Sequence, residues 1–160
     1  MARILIVGYG NPLRSDDGLG WRAAEELSQR LSPPEIEVEV IVRHQLTPEL
    51  ADNVRNADAV FFIDAAHTGQ PGELTSRLLT SQPLTSQPQT IQSHQCSPAG
   101  VLALAQQLYG ATPRAFTVTL CGECFDHGAA LSATVEAGLL KLTALVEKLA
   151  RQEAVRTRCR

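Results

Sequence analysis

The sequence predicts an α/β protein, a three-layer sandwich in which a mostly parallel, twisted sheet of about five strands carries helices on both faces. Apolar segments of strand length alternate with segments of helical periodicity. A glycine-rich turn follows the first apolar segment. The length of 160 residues and the hydrophobic content of 44% suit one domain with its own core. We therefore expect a single domain over residues 1–150, followed by a basic tail over residues 151–160.

The chain begins with an apolar strand, predicted over residues 3–8. A helix is predicted over residues 17–31, because apolar residues recur there at helical spacing. Ser15 or Asp16 would serve as its N-cap, since short polar side chains accept hydrogen bonds from the first N–H groups of a helix.

The next two elements are an edge strand and a short helix. Residues 35–43 alternate charged and apolar side chains, which is typical of a half-exposed strand near a sheet edge. Thr47 as N-cap and Pro48 at the first helical position predict a helix that ends near residue 57.

A fully apolar strand is predicted over residues 59–63, with Asp64 at its end. A further short strand is predicted over residues 72–79. Residues 80–89 duplicate a Thr-Ser-Gln-Pro pattern whose residue types favour turns, so we expect a surface loop there.

The remaining segments complete the alternation. We expect a helix over residues 98–109, a buried strand over 115–120 and an amphipathic helix over 131–149. The basic residues after position 150 read as a frayed, solvated end.

Composition and charge exclude several classes of function. The net charge is −3 and the arginines are scattered, so the basic stripe that nucleic acid requires is missing. The sequence has neither an apolar run of about 20 residues for a bilayer nor a signal-peptide pattern after Met1. We expect a cytoplasmic monomer that binds neither nucleic acid nor membrane. Its cysteines should be free thiols, namely Cys96, Cys121, Cys124 and Cys159.

The turn after the first strand reads GYGNPLRSDDGLG over residues 8–20. Such strand-to-helix turns normally attract phosphate, but Asp16 and Asp17 would repel it and attract a cation. The spacing also departs from the G-x-G-x-x-G dinucleotide fingerprint. The turn therefore indicates half of a metal site.

Three side chains are candidate ligands of that site: Asp17, Asp64 and His94. The carboxyl ends of parallel strands meet at one edge of a sheet, which would bring Asp64 towards Asp17. His94 precedes the helix predicted at residue 98 and can reach the same edge. Two carboxylates and an imidazole can hold nickel, zinc or a similar ion while leaving coordination positions open. Each residue also has a structural alternative, as a helix cap or a surface or core histidine.

Other candidates are weaker. His67 is a rival ligand that would more often be solvated or support another ligand, and His44 and His127 are weaker still. Cys121 and Cys124 have C-x-x-C spacing, which can bind zinc or carry redox chemistry. A single pair that follows the last strand is typical of neither site, so we assign it no function.

The chain resembles the nickel–iron hydrogenase maturation endopeptidase family over nearly its whole length. The likeness rests on the 8–20 turn with Asp16 and Asp17, on Asp64-Ala65 after an apolar strand, and on His94 before a helix that begins with Ser-Pro. The segment over residues 44–50 is similar to that of members serving NAD(P)-linked bidirectional hydrogenases.

The resemblance implies an endopeptidase that removes a C-terminal extension from the hydrogenase large-subunit precursor once nickel is inserted. Asp17, Asp64 and His94 would be its catalytic residues and would bind nickel supplied by the substrate, with no resident organic cofactor. Two alternatives remain open at this point: a nickel-binding chaperone that cuts nothing, and a zinc hydrolase with a resident metal.

Overall fold

The computed structural model describes residues 1–79 and 96–159, and within them it contains five strands and four α-helices. The strands are β1 (Ala2–Tyr9), β2 (Ile36–Arg43), β3 (Ala59–Ala66), β4 (Leu74–Leu79) and β5 (Arg114–Cys121). The helices are α1 (Leu19–Arg30), α2 (Leu50–Val54), α3 (Pro98–Tyr109) and α4 (Ala133–Arg158), and a 3-10 helix, Ser15–Gly18, precedes α1. Among these described residues no helix is long and apolar enough to cross a membrane.

The strands form one sheet in the order β2-β1-β3-β5-β4. Every neighbouring pair is parallel except β4 and β5. Helices α1 and α4 pack on one face, where residues such as Leu27 and Leu142 join the strand side chains. Helices α2 and α3 cover the other face. The predicted three-layer, mostly parallel α/β fold is thereby confirmed, with β2 at the edge that its alternating sequence predicted.

Close packing of glycines brings the 8–20 turn onto the carboxyl edge of the sheet. A Cβ atom on Gly20 would lie 2.6 Å from the carbonyl oxygen of Ile63, and one on Gly8 would clash with the backbone of Gly20. Helix α1 can therefore begin directly against β1 and β3 only because both positions lack a side chain.

The start of the first helix differs from the prediction. Helix α1 begins at Leu19, after the 3-10 helix, and Gly18 occupies its N-cap position. Neither Ser15 nor Asp16 caps it, because the side chains of both are bonded to the distant loop between β5 and α4. The second helix is also shorter than predicted: α2 begins at Leu50 with Glu49 at the N-cap position, so Thr47 and Pro48 lie before it.

The last helix continues to Arg158 rather than ending at residue 149. Its extra turns bury Ala150 and Ala154 against the sheet. Glu153, 6% exposed, accepts hydrogen bonds from Nε of Arg114 at 3.0 Å. The prediction of a frayed tail after residue 150 was therefore wrong.

Several elements match their predicted positions closely. Helix α3 has the predicted bounds, and Ser97 caps it by accepting from the N–H of Gly100 at 3.0 Å. Strands β1, β3, β4 and β5 each contain most of their predicted segments. The loop predicted over residues 80–89 lies outside the described residues.

Candidate functional site

Asp17 and Asp64 both lie at the carboxyl edge of the parallel strands, where the sequence placed them. Asp17 belongs to the 3-10 helix after β1, and Asp64 belongs to β3. Strand β3 continues to Ala66, so Asp64 lies inside the strand rather than just beyond it. The two carboxylates are close enough for the charge of Asp17 to raise the pKa of Asp64.

The carboxylate of Asp17 is held by its own turn. Its Oδ2 accepts a hydrogen bond from the N–H of Asn11 at 2.7 Å. Its Oδ1 lies 3.4 Å from Nε2 of His67, which follows the end of β3. The side chain is 20% exposed, so it remains accessible to a ligand.

The carboxyl group of Asp64 lies in a more buried setting. Burial is the main cause that raises its pKa to about 6, and the charge of Asp17 adds to the rise. Hydrogen bonds from the N–H of Ala65, at 2.8 Å, and from the hydroxyl of Tyr9 oppose it, as does His67. Burial, the charge of Asp64 and the hydrogen bond to it in turn raise the pKa of Tyr9.

The ring of His67, which contacts Asp17, also packs against an aromatic neighbour. Its ring stacks on Phe125, with centroids 4.0 Å apart and an interplanar angle of 21°. A Cβ atom on Gly122 would lie within 3.0 Å of the Phe125 ring, so the loop can hold this ring only with glycine at that position. The sequence ranked His67 below His94, and the structure brings it into direct contact with a candidate ligand.

His94, the third predicted ligand, lies outside the described residues. Within residues 1–79 and 96–159, no three His, Cys, Asp or Glu side chains are arranged so that they could hold a metal ion. Asp17 and Asp64 are thus the two predicted ligands that the described residues bring together, and the role of His94 stays a prediction.

Asp16 has a role that sequence reasoning did not predict. It is fully buried, and its carboxylate accepts hydrogen bonds from the N–H groups of Glu123, Cys124 and Ser132 at 2.7–2.9 Å. The hydroxyl of Ser132 donates a fourth, at 2.9 Å. Burial favours the neutral acid, but these donors prevail and lower the pKa of Asp16. The partners lie more than 100 residues away in sequence, so no local pattern signals this role.

Backbone hydrogen bonds join the same two loops. The N–H of Ser15 donates to Gly128 at 2.8 Å, and the N–H of Gly128 donates to Leu13 at 2.9 Å. Ser15 itself has φ 51°, a left-handed conformation that is uncommon for a residue with a side chain. The turn that carries Asp17 is therefore fixed to the loop between β5 and α4.

The C-x-x-C motif contributes through its backbone. All four cysteines are free thiols, as expected. Cys121 is buried with Sγ 3.5 Å from the carbonyl oxygen of Thr68, and the N–H of Cys124 is one of the donors to Asp16. These contacts give the motif a structural role.

Trp21 connects the turn that carries Asp17 to the end of β2. Its indole Nε1 donates to the carbonyl oxygens of Gly10 and Arg43, at 2.9 and 3.2 Å. The ring meets His44 edge to face, with centroids 5.6 Å apart. Trp21 thus bridges the chain after β1 and the end of β2.

Comparisons with known proteins agree with this fold. The Hydrogenase 2 maturation protease of Escherichia coli K12 is 31% identical over 137 residues, which cover 84% of this chain and 82% of that protein. The crystal structure of a hydrogenase 2 maturation peptidase from a Thaumarchaeota archaeon matches with a TM-score of 0.67 and 25% identity, over 92% of this chain and 97% of that one. An Escherichia coli endopeptidase solved in solution matches with a TM-score of 0.68 and 27% identity, over 94% and 93% of the two chains. No protein-family model matches.

These similarities define the class of the protein: it is a peptidase, and hence a hydrolase. The chain belongs to the hydrogenase maturation protease family, because its similarity to the curated member extends over most of both sequences.

Proposed function

We propose that the protein removes the C-terminal extension of a nickel–iron hydrogenase large-subunit precursor after nickel has been inserted, and that it recognises the nickel held by that substrate. The observation that carries the proposal is the approach of Asp17 and Asp64 at the carboxyl edge of the sheet in a chain of this family. A cation between them would relieve the repulsion from Asp17, which adds to the rise that burial causes in the pKa of Asp64.

The donor set supports nickel that arrives with other ligands attached. Carboxylate oxygens and an imidazole nitrogen suit a borderline divalent ion, and His94 would provide the imidazole. The substrate would complete the coordination with its own ligands. A precursor without nickel would then lose most of its attraction to this site, so that metal recognition also controls when cleavage occurs.

The proposed reaction is hydrolysis of one amide bond. Water adds across the bond between the carbonyl carbon and the amide nitrogen, so the oxygen joins the new carboxyl group and a proton goes to the leaving amine. The bound nickel would act as a Lewis acid at this step. Asp64 must be ionised to bind it, and its pKa of about 6 leaves it mostly ionised above neutral pH.

The test is incubation of the purified protein with nickel-loaded precursor, followed by intact-mass measurement. We expect the precursor to lose mass at its carboxyl end, and nickel-free precursor to stay intact. Unchanged mass with a stable complex would overturn cleavage in favour of a chaperone. Stoichiometric zinc in the isolated protein, found by elemental analysis, would overturn substrate-borne nickel in favour of a resident metal.

A further inference from the structure

A cleft of about 510 Å³ adjoins the turn that carries Asp17, at the β2 edge of the sheet. Its lining residues come from strand β2, from helix α1, from the turn that carries Asp17 and from the loop between β5 and α4. The larger apolar lining side chains are Pro12, Leu13, Trp21, Val40, Val42 and Leu131.

The cleft borders the turn that carries Asp17. Pro12 and Gly18 line it, and they directly follow Asn11 and Asp17, the two residues joined by the hydrogen bond from the Asn11 N–H to the Asp17 carboxylate. Trp21 forms part of its wall and is fixed by its two hydrogen bonds to the ends of β1 and β2. A ligand in the cleft would therefore lie next to the turn that carries Asp17.

The chemistry of the cleft favours a mainly apolar occupant. Leu13 is 64% exposed, a large apolar side chain left in solvent at its rim. The guanidinium of Arg22 also lines the cleft, but it pairs with Glu136 at 3.2 Å and with Glu26 at 4.0 Å. The charge of Arg22 is therefore compensated within the protein, and Glu25 is the other charged residue of the lining.

The geometry favours an extended chain. Strand β2 has a neighbour on one side only among the described strands, so backbone groups along its outer edge are available to another strand. Its side chains Val40 and Val42 lie on the same face of the strand and line the cleft. An unpaired strand edge beside an apolar groove is a common arrangement for binding an extended peptide.

We propose that this cleft binds an extended, mainly apolar segment of the polypeptide substrate near the scissile bond. The proposal rests on the proposed function, since it takes the hydrogenase precursor as the polypeptide. It makes Leu13 a specificity-determining residue that contacts the substrate away from the metal.

The test compares Leu13→Ser with Leu140→Ser in cleavage of nickel-loaded precursor. Leu140 is the matched control because it is 62% exposed on α4 and does not line the cleft. We expect Leu13→Ser to raise KM about tenfold with little change in kcat, because binding loses apolar contact while the reacting groups are untouched. Leu13→Met should restore the wild-type KM, and Leu140→Ser should match wild type.

The outcomes separate the two proposals. Wild-type cleavage with an unchanged KM for Leu13→Ser would overturn the cleft as the substrate site and leave the proposed function standing. Failure of Leu13→Met to restore KM would show that position 13 acts through the turn rather than through apolar contact, and would also overturn it. Absence of cleavage by the wild-type protein would overturn the proposed function and, with it, this occupant.

Discussion

Ser132 donates two hydrogen bonds to the carboxylate of Asp16, from its N–H to Oδ1 at 2.7 Å and from its hydroxyl to Oδ2 at 2.9 Å, across 116 residues of sequence. The same Ser132 side chain caps α4 by accepting from the N–H of Val135 at 3.3 Å. One contact therefore joins the turn beside Asp17 to the start of the longest helix.

Replacing Asp16 with alanine should lower the free energy of unfolding by about 3 kcal/mol, because several N–H donors would be left unpaired in a buried place. Since the hydrogen bonds lower the pKa of Asp16, its contribution is present above the unfolded value of 3.8 and is lost as the pH falls below it. Urea unfolding at pH 7 measures the change. Asp52→Ala, which removes an exposed ion pair with Arg55, is the control and should cost about 1 kcal/mol or less. Equal losses in the two variants would contradict a stabilising role for the hydrogen bonds that Asp16 accepts.

Asp64→Asn should stabilise the metal-free protein at neutral pH and above. A pKa raised from 3.8 to about 6 means that the folded state holds the proton more tightly, so stability falls as the pH rises through this interval. Removal of the charge should gain up to about 3 kcal/mol at pH 8 and nothing below pH 3.8. Unfolding curves of both proteins from pH 3 to pH 8 test this. A difference independent of pH would show that Asp64 does not titrate in this way.

Asp17→Asn, Asp64→Asn and His94→Ala should each abolish precursor processing, since each removes a proposed nickel ligand. Asp17 and Asp64 lie at the edge of the sheet and outside its apolar core, so we expect the fold to persist. Intact-mass assays report processing, and circular dichroism reports folding. Full activity in any one variant would remove that residue from the mechanism.

His67→Ala should reduce kcat/KM of processing about tenfold without abolishing it, because residues that orient a metal ligand typically contribute that much. The physical reason is the contact of Nε2 with Asp17 at 3.4 Å, which the Phe125 stack maintains. His127→Ala, at another exposed histidine, is the control. Complete loss of activity would instead indicate that His67 is itself an essential ligand.

Cys121→Ser combined with Cys124→Ser should leave processing nearly unchanged. Cys124 donates a hydrogen bond to the carboxylate of Asp16 from its N–H, and serine retains that N–H. The initial rate of precursor cleavage tests this, with and without a thiol reductant. A large loss in the double variant, or a rate that depends on reductant in the wild type, would assign the thiols a role in activity.

Local patterns predicted most of the fold. The central segments of strands β1 and β3 are buried and read as continuous apolar runs, and α3 carries a Ser-Pro start and a glycine at its end. The extension of α4 was missed because its basic residues suggested a solvated end. The added turns include Glu153, whose partner Arg114 is distant in sequence, and such pairing cannot be read from local sequence.

The site was predictable only in part, for a similar reason. Parallel topology places the end of every strand at one edge, so the approach of Asp17 and Asp64 followed from the order of the elements. Sequence reasoning chose Asp17 as the ligand and Asp16 as a helix cap, but the true partners of Asp16 could not be predicted because they lie more than 100 residues away. Asp16 is buried against residues 123–132, and its neighbour is left free to face the site.

Trp21 is the one tryptophan of the chain, and it stands in the wall of the cleft with its indole N–H bonded to two carbonyl groups. The protein therefore carries its own fluorophore where the substrate is proposed to dock. Emission excited at the indole band would report occupancy of the cleft in the unlabelled enzyme, with no tag to disturb the edge strand.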